Sequence, residues 1–165
     1  MAATRRSEAP RTTTERISDR ELVITRTFRA PAEIVFEAYT NPEHVRRWWA
    51  PASRDVVVES CDAEVRPGGT YRYVLRRGDD TFAFSGAYVE IARPTRLVYT
   101  QRFEPMPGEA TITVAFEEHG GATTLRAREV YPSKEALDGA LASGMEDGMF
   151  ETFDQLEELV VTLRG

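Results

Sequence analysis

The sequence predicts an α+β fold: a curved, seven-stranded antiparallel sheet wrapped round one long C-terminal helix, with two short helices after the first strand. Three observations predict it. Between Arg54 and Tyr131, six consecutive segments alternate apolar and polar residues and are joined by short turns. That is an antiparallel meander, because parallel strands need long crossover connections. From Pro132 to the end, apolar residues step by three or four, the period of a helix. Ahead of the meander stand one more alternating segment and two short helical ones. The terminal helix is the only element long enough to cover an apolar sheet face.

The chain has 165 residues, 41% hydrophobic and 29% charged. That is about one domain of ordinary globular composition. A net charge of −6 repels phosphate and argues against a nucleic-acid partner. No stretch approaches the ~18 apolar residues of a membrane span. The two histidines, His44 and His119, have no metal-ligand spacing, and no cofactor is called for. Cys61 is the one cysteine, so there is no disulfide framework, and a reducing cytoplasm is expected.

Each element has a local cause. Residues 1–19 hold almost no large apolar side chain and are expected to form a flexible tail, with the domain at 20–165. Leu22, Ile24 and Phe28 alternate with Val23, Thr25 and Thr27 as a strand. Ile34, Val35, Ala38 and Tyr39 then fall at helical spacing. Asn41-Pro42-Glu43 restarts a helix, with Asn41 as cap and Pro42 at its first position. Val45, Trp48 and Trp49 form the apolar stripe of that helix. Strands follow over Arg54–Val65, Thr70–Arg77, Thr81–Ile91, Leu97–Phe103, Thr111–Glu117 and Thr123–Tyr131, divided by Gly- and Pro-bearing turns. Ser133 is positioned to cap the last helical region. Gly139, Gly144 and Gly148 predict a break in it, with one long helix from near Ala140. Glu157 and Glu158 are read as part of its solvated side.

The candidate site residues come from the inward faces. Tyr71 and Tyr73 share a face, and Gln101 shares one with Tyr99. Tyrosines pointing inward line a pocket with a few polar groups. Phe84, Trp48 and Phe153 add aromatic wall, and Met145 and Met149 add adaptable apolar wall. Glu129 lies on the face of Leu125 and Ala127. A carboxylate there either has its pKa raised by desolvation or pairs with Arg76 or Arg126. His44 is expected in solvent and Cys61 as an inert thiol.

Four segments resemble the START-like (SRPBCC) superfamily, and within it the homologues of the activator of the heat-shock-protein ATPase. They are ITRTFRAPAEIVFEAYTNPEHVRRWW at 24–49, RPGGTYRYVL at 66–75, FSGAYVEIARPTRLVYT at 84–100 and SGMEDGMFETFDQLEEL at 143–159. The resemblance implies a helix-grip fold with a cavity between sheet and terminal helix. The expected function is binding of a small apolar or aromatic ligand by a monomer or homodimer. One alternative is an enzyme resembling the polyketide cyclases or aromatases, with Tyr71, Gln101 and Glu129 moving protons. Another is a chaperone-associated interaction module.

Overall fold

A computed structural model describes residues 11–165 of the chain. Eight strands form one antiparallel sheet: β1 (Thr13–Ser18), β2 (Glu21–Phe28), β3 (Val57–Ala63), β4 (Thr70–Arg77), β5 (Asp80–Ala92), β6 (Arg96–Phe103), β7 (Ala110–His119) and β8 (Ala122–Val130). Their order is β1-β2-β8-β7-β6-β5-β4-β3. Helices α1 (Ala32–Thr40) and α2 (Pro42–Trp48) lie between β2 and β3, and α3 (Lys134–Ala142) and α4 (Met145–Arg164) follow β8. The α+β class and the covering helix are as the sequence predicts.

The strand count is corrected from seven to eight. The extra strand, β1, comes from the segment expected to be tail, pairing Thr13 with Thr25 and Arg16 with Leu22. Residues 1–10 of that segment lie outside the described residues. β1 buries little side chain; its ladder is reinforced by polar contacts, with the Thr14 hydroxyl donating to Glu146 and Arg16 paired with Asp138. The terminal helix is also corrected. It begins at Met145, not near Ala140, because Gly144 takes a left-handed φ of 83° that favours glycine and ends α3.

The caps behave as their residue types require. The Asn41 side chain accepts from the Glu43 N–H at the start of α2, and Ser133 accepts from the Ala136 N–H at 3.0 Å at the start of α3. On α4, Phe153, Leu156 and Val160 are buried against the inward residues Leu22, Ile24, Phe28, Val114 and Leu125 in one core. Trp48 sits in that core, with its ring 5.5 Å from Tyr39 and 6.0 Å from Phe153.

A polar strap ties the α2–β3 connection to α4. Gln155 donates to the carbonyls of Trp48 and Ala50 at 3.0 and 2.9 Å and accepts from the Ala52 N–H. Glu151 accepts from the Ser53 N–H at 2.8 Å, and Arg54 donates to the Gly144 carbonyl at 3.2 Å.

Glu157 is not solvated. It is 5% exposed and faces Arg26, which is 3% exposed and alternates inward with Leu22, Ile24 and Phe28. Arg26 donates to Asp154 at 2.7 Å and to Thr12 at 3.1 Å. Glu157 lies 3.7 Å from Arg26 and accepts from Arg29 at 2.8 Å. This network pins the middle of α4 to β2.

Candidate functional site

The inward face of the sheet carries a cross-strand row: Tyr88 opposite Tyr99, Tyr99 opposite Ile112, Ile112 opposite Glu129 and Glu129 opposite Leu22. Directly opposed residues share a face, so the row runs along the inward face from β5 to β2. Tyr71 and Tyr73 stand beside it, with ring centroids 4.9 Å apart. Tyr71 is also 5.9 Å from Tyr99 and 5.6 Å from Tyr88.

Tyr71, Tyr73, Tyr99 and Gln101 line one enclosed pocket with Tyr39, Thr40, Trp49, Tyr88 and Leu97. Its volume is about 20 Å³, room for about one water molecule. Its walls come from the sheet, the end of α1 and the residue after α2, with none from the terminal helix expected to border it, and aromatic rings leave little space. Trp48 and Phe153 form the packed core behind it, as their mutual contact shows. Phe84 stands at the pocket's outer side, 4.7 Å from Trp49 and 5.0 Å from the part-exposed Phe103. Met145 and Met149 pack on the core from α4.

Most of the hydroxyls are spent on protein partners. Tyr39 and Tyr99 share a hydrogen bond of 3.0 Å, and Tyr71 donates to the Thr100 carbonyl at 2.7 Å. That bond exists because Gly86 lets β5 and β6 approach. A Cβ on Gly86 would come 1.9 Å from the Thr100 carbonyl oxygen. Burial pushes the phenols of Tyr39, Tyr71 and Tyr99 upward, so they stay neutral.

Glu129 is 8% exposed and accepts from the Tyr131 hydroxyl at 2.8 Å. The Tyr131 hydroxyl also lies 3.7 Å from the Met145 sulfur. No arginine among the described residues pairs with Glu129: Arg76 binds Glu59 and Arg126 faces outward in solvent. Burial raises the Glu129 carboxyl to about 7, against the opposing pull of the Tyr131 hydrogen bond.

The sign of the pH effect follows. A carboxyl whose folded value exceeds its unfolded one stabilises the fold when protonated. That contribution is complete below the ordinary value of 4.5 and lost as pH rises through about 7. The gap is worth roughly 3 kcal/mol. Wild type should therefore lose about that much stability relative to Glu129→Gln as pH rises across this window. Denaturant titrations of both proteins across the range check it, and a pH-independent difference between them would contradict it.

Sequence reasoning passed over several wall residues. Tyr88 was legible, since Phe84, Gly86 and Tyr88 alternate on one strand. Tyr39 was not, because nothing in the local sequence says that the last turn of α1 reaches β6. His44 is half-buried rather than solvated. Cys61 is a free, part-buried thiol, pushed by burial up to about 11, which suits the inert role expected of it.

A wider hollow of about 760 Å³ opens on the outer face, bordered by Arg72, Arg102 and Glu104. Its charges are partly satisfied internally: Arg72 grips Glu104 through two bonds of 2.9 Å, and that carboxyl is pushed down to about 2 by Arg72 and Ser85. No group of His, Cys, Asp and Glu suited to a metal ion occurs among the described residues. No helix among them is long and apolar enough to cross a membrane.

Residues 29–161 match the family model described as Activator of Hsp90 ATPase homolog 1-like protein. The chain belongs to this family. Its fold is shared by a Rhodobacter sphaeroides protein, 25% identical, with a TM-score of 0.84 over 92% of this chain and 99% of that one. A Staphylococcus epidermidis protein is 30% identical, with a TM-score of 0.78 over 91% of this chain and 94% of that one. A Mycobacterium smegmatis protein is 26% identical, also at 0.78, over 91% and 96%. No curated protein matches the chain. The Activator of Hsp90 ATPase homolog 1-like family accounts for the architecture, and an SRPBCC-type fold of this kind is consistent with a ligand-binding domain.

Proposed function

We propose that the protein binds a small apolar or aromatic molecule on the inward sheet face, in the space walled by its tyrosines. The observation that carries this is the small pocket lined by Tyr39, Tyr71, Tyr73, Tyr88 and Tyr99. Binding requires the pocket to widen. Met145 and Met149 pack on the core that holds these tyrosines, and an unbranched thioether repacks at little cost. The part-exposed Phe84 and Phe103, with Trp49, form the approach. The thiol of Cys61 suits a reducing cytoplasm.

The experiment is a melting-curve panel with phenol, indole and 2-naphthol on wild type and Met149→Ala. A ligand at a hundredfold excess over its dissociation constant stabilises by about 2.7 kcal/mol. Met149→Ala adds room and should bind the larger probes more tightly. If no probe raises the melting temperature of either protein, the binding reading is overturned.

One observation favours a second reading. Glu129, buried and brought to about 7, is poised to exchange a proton with a bound substrate. That is the chemistry a cyclase- or aromatase-like enzyme needs. A chaperone-associated role has less support. Of the large apolar residues exposed among the described ones, Phe103 and Met106 adjoin at the end of β6, and Ile17, Val57, Val89 and Leu163 stand on β1, β3, β5 and α4, whereas a partner surface is marked by a contiguous apolar patch.

A further inference from the structure

Glu129 is a buried carboxyl on the same cross-strand row as Tyr99, two strands away through Ile112, and it has no counter-ion among the described residues. Only Oε1 has a hydrogen-bond partner among the described residues, the Tyr131 hydroxyl. Arg16 lies on the same cross-strand row, two strands away through Leu22, but is exposed and held by Asp138. The other titratable groups facing Glu129 are phenols: Tyr39 from α1, Tyr71 from β4, Tyr99 from β6, and Tyr131 beyond β8. From α4, the neighbour reached through Tyr131 is the uncharged Met145.

We infer that the ligand of this site carries a protonated amine on its small aromatic or apolar body, with Glu129 as the counter-ion and the tyrosine rings as its walls. The inference rests on the binding reading above. A buried charge is tolerated when it is paired, and no cation among the described residues pairs with Glu129. An anionic ligand would meet like charge, a neutral one would keep the carboxyl protonated, and an ammonium group would favour its ionised form. The tyrosines complete the argument. The hydroxyls of Tyr39, Tyr71 and Tyr99 are engaged, so the ring faces are what remain to meet a ligand, and ring faces attract cations.

The test uses an isosteric pair, 2-phenylethylamine and 2-phenylethanol, measured by calorimetry on the full chain. At about pH 8, with Glu129 ionised and the amine charged, the amine should bind about tenfold tighter or better. At about pH 5 the carboxyl is protonated and the preference should collapse. In Glu129→Gln the preference should be absent at both pH values, while affinity for the alcohol is kept. If the alcohol binds as tightly as the amine at the higher pH, or if the preference survives Glu129→Gln, the inference is overturned and aromatic binding stands. If neither compound binds, the inference and the binding reading fall together.

Discussion

Glu157→Ala should destabilise the protein by about 3–5 kcal/mol, because it strips a buried arginine of a charged partner. Arg26 is enclosed beneath α4, with Nη1 donating to both Asp154 and Thr12 and Nη2 lying 3.7 Å from Glu157. Removing Glu157 also frees Arg29, which donates to it through both backbone and side chain. Arg26→Ala should cost a similar amount for the converse reason. The double variant Arg26→Met with Glu157→Leu should recover most of the loss, since an apolar pair of matching volume avoids the desolvation of two ions. A double-mutant cycle from denaturant unfolding measures the coupling. Single variants that cost less than about 1 kcal/mol would show that the pair is solvated.

Trp48→Ala should cost roughly 3–5 kcal/mol, the range for deleting a buried aromatic ring. The ring is almost wholly buried between Tyr39 and Phe153, and its Nε1–H donates to the Ala38 carbonyl at 2.9 Å. It therefore joins α1, α2 and α4 at one point. Trp48→Phe should lie between the two, keeping part of the packing while leaving that carbonyl unpaired. Equilibrium unfolding of the three proteins decides it, and equal stabilities would remove Trp48 from the core.

The sheet and the covering helix were legible because alternation and helical spacing report directly on which face is buried. β1 was not legible, since an edge strand with exposed side chains has no apolar pattern to read. Its stability comes from the ladder to β2 and from Thr14 and Arg16. The Arg26–Glu157 pair left a trace that was easy to pass over. Arg26 falls in the inward register of β2, and Glu157 lies four residues after Phe153 and three before Val160 on the buried stripe of α4. Charge alone suggested solvent, whereas register points inward. The tyrosines, Gln101 and Glu129 were placed on the inward face by the same alternation. The volume between them was beyond the sequence, because it depends on how neighbouring rings tilt against one another.

Ligand binding at the tyrosine face should be felt at the start of α4. The chain has four methionines, and three of them report on it: Met145 and Met149 pack on the core that includes Tyr71, Tyr73, Tyr88 and Tyr99, while Met106 is exposed on a loop. The most direct measurement is a carbon-13 methyl-methionine spectrum during titration with indole. The account predicts that the Met145 and Met149 signals move together and saturably, while Met106 stays fixed. Signals of Met145 and Met149 that remain in place at saturating indole would contradict it.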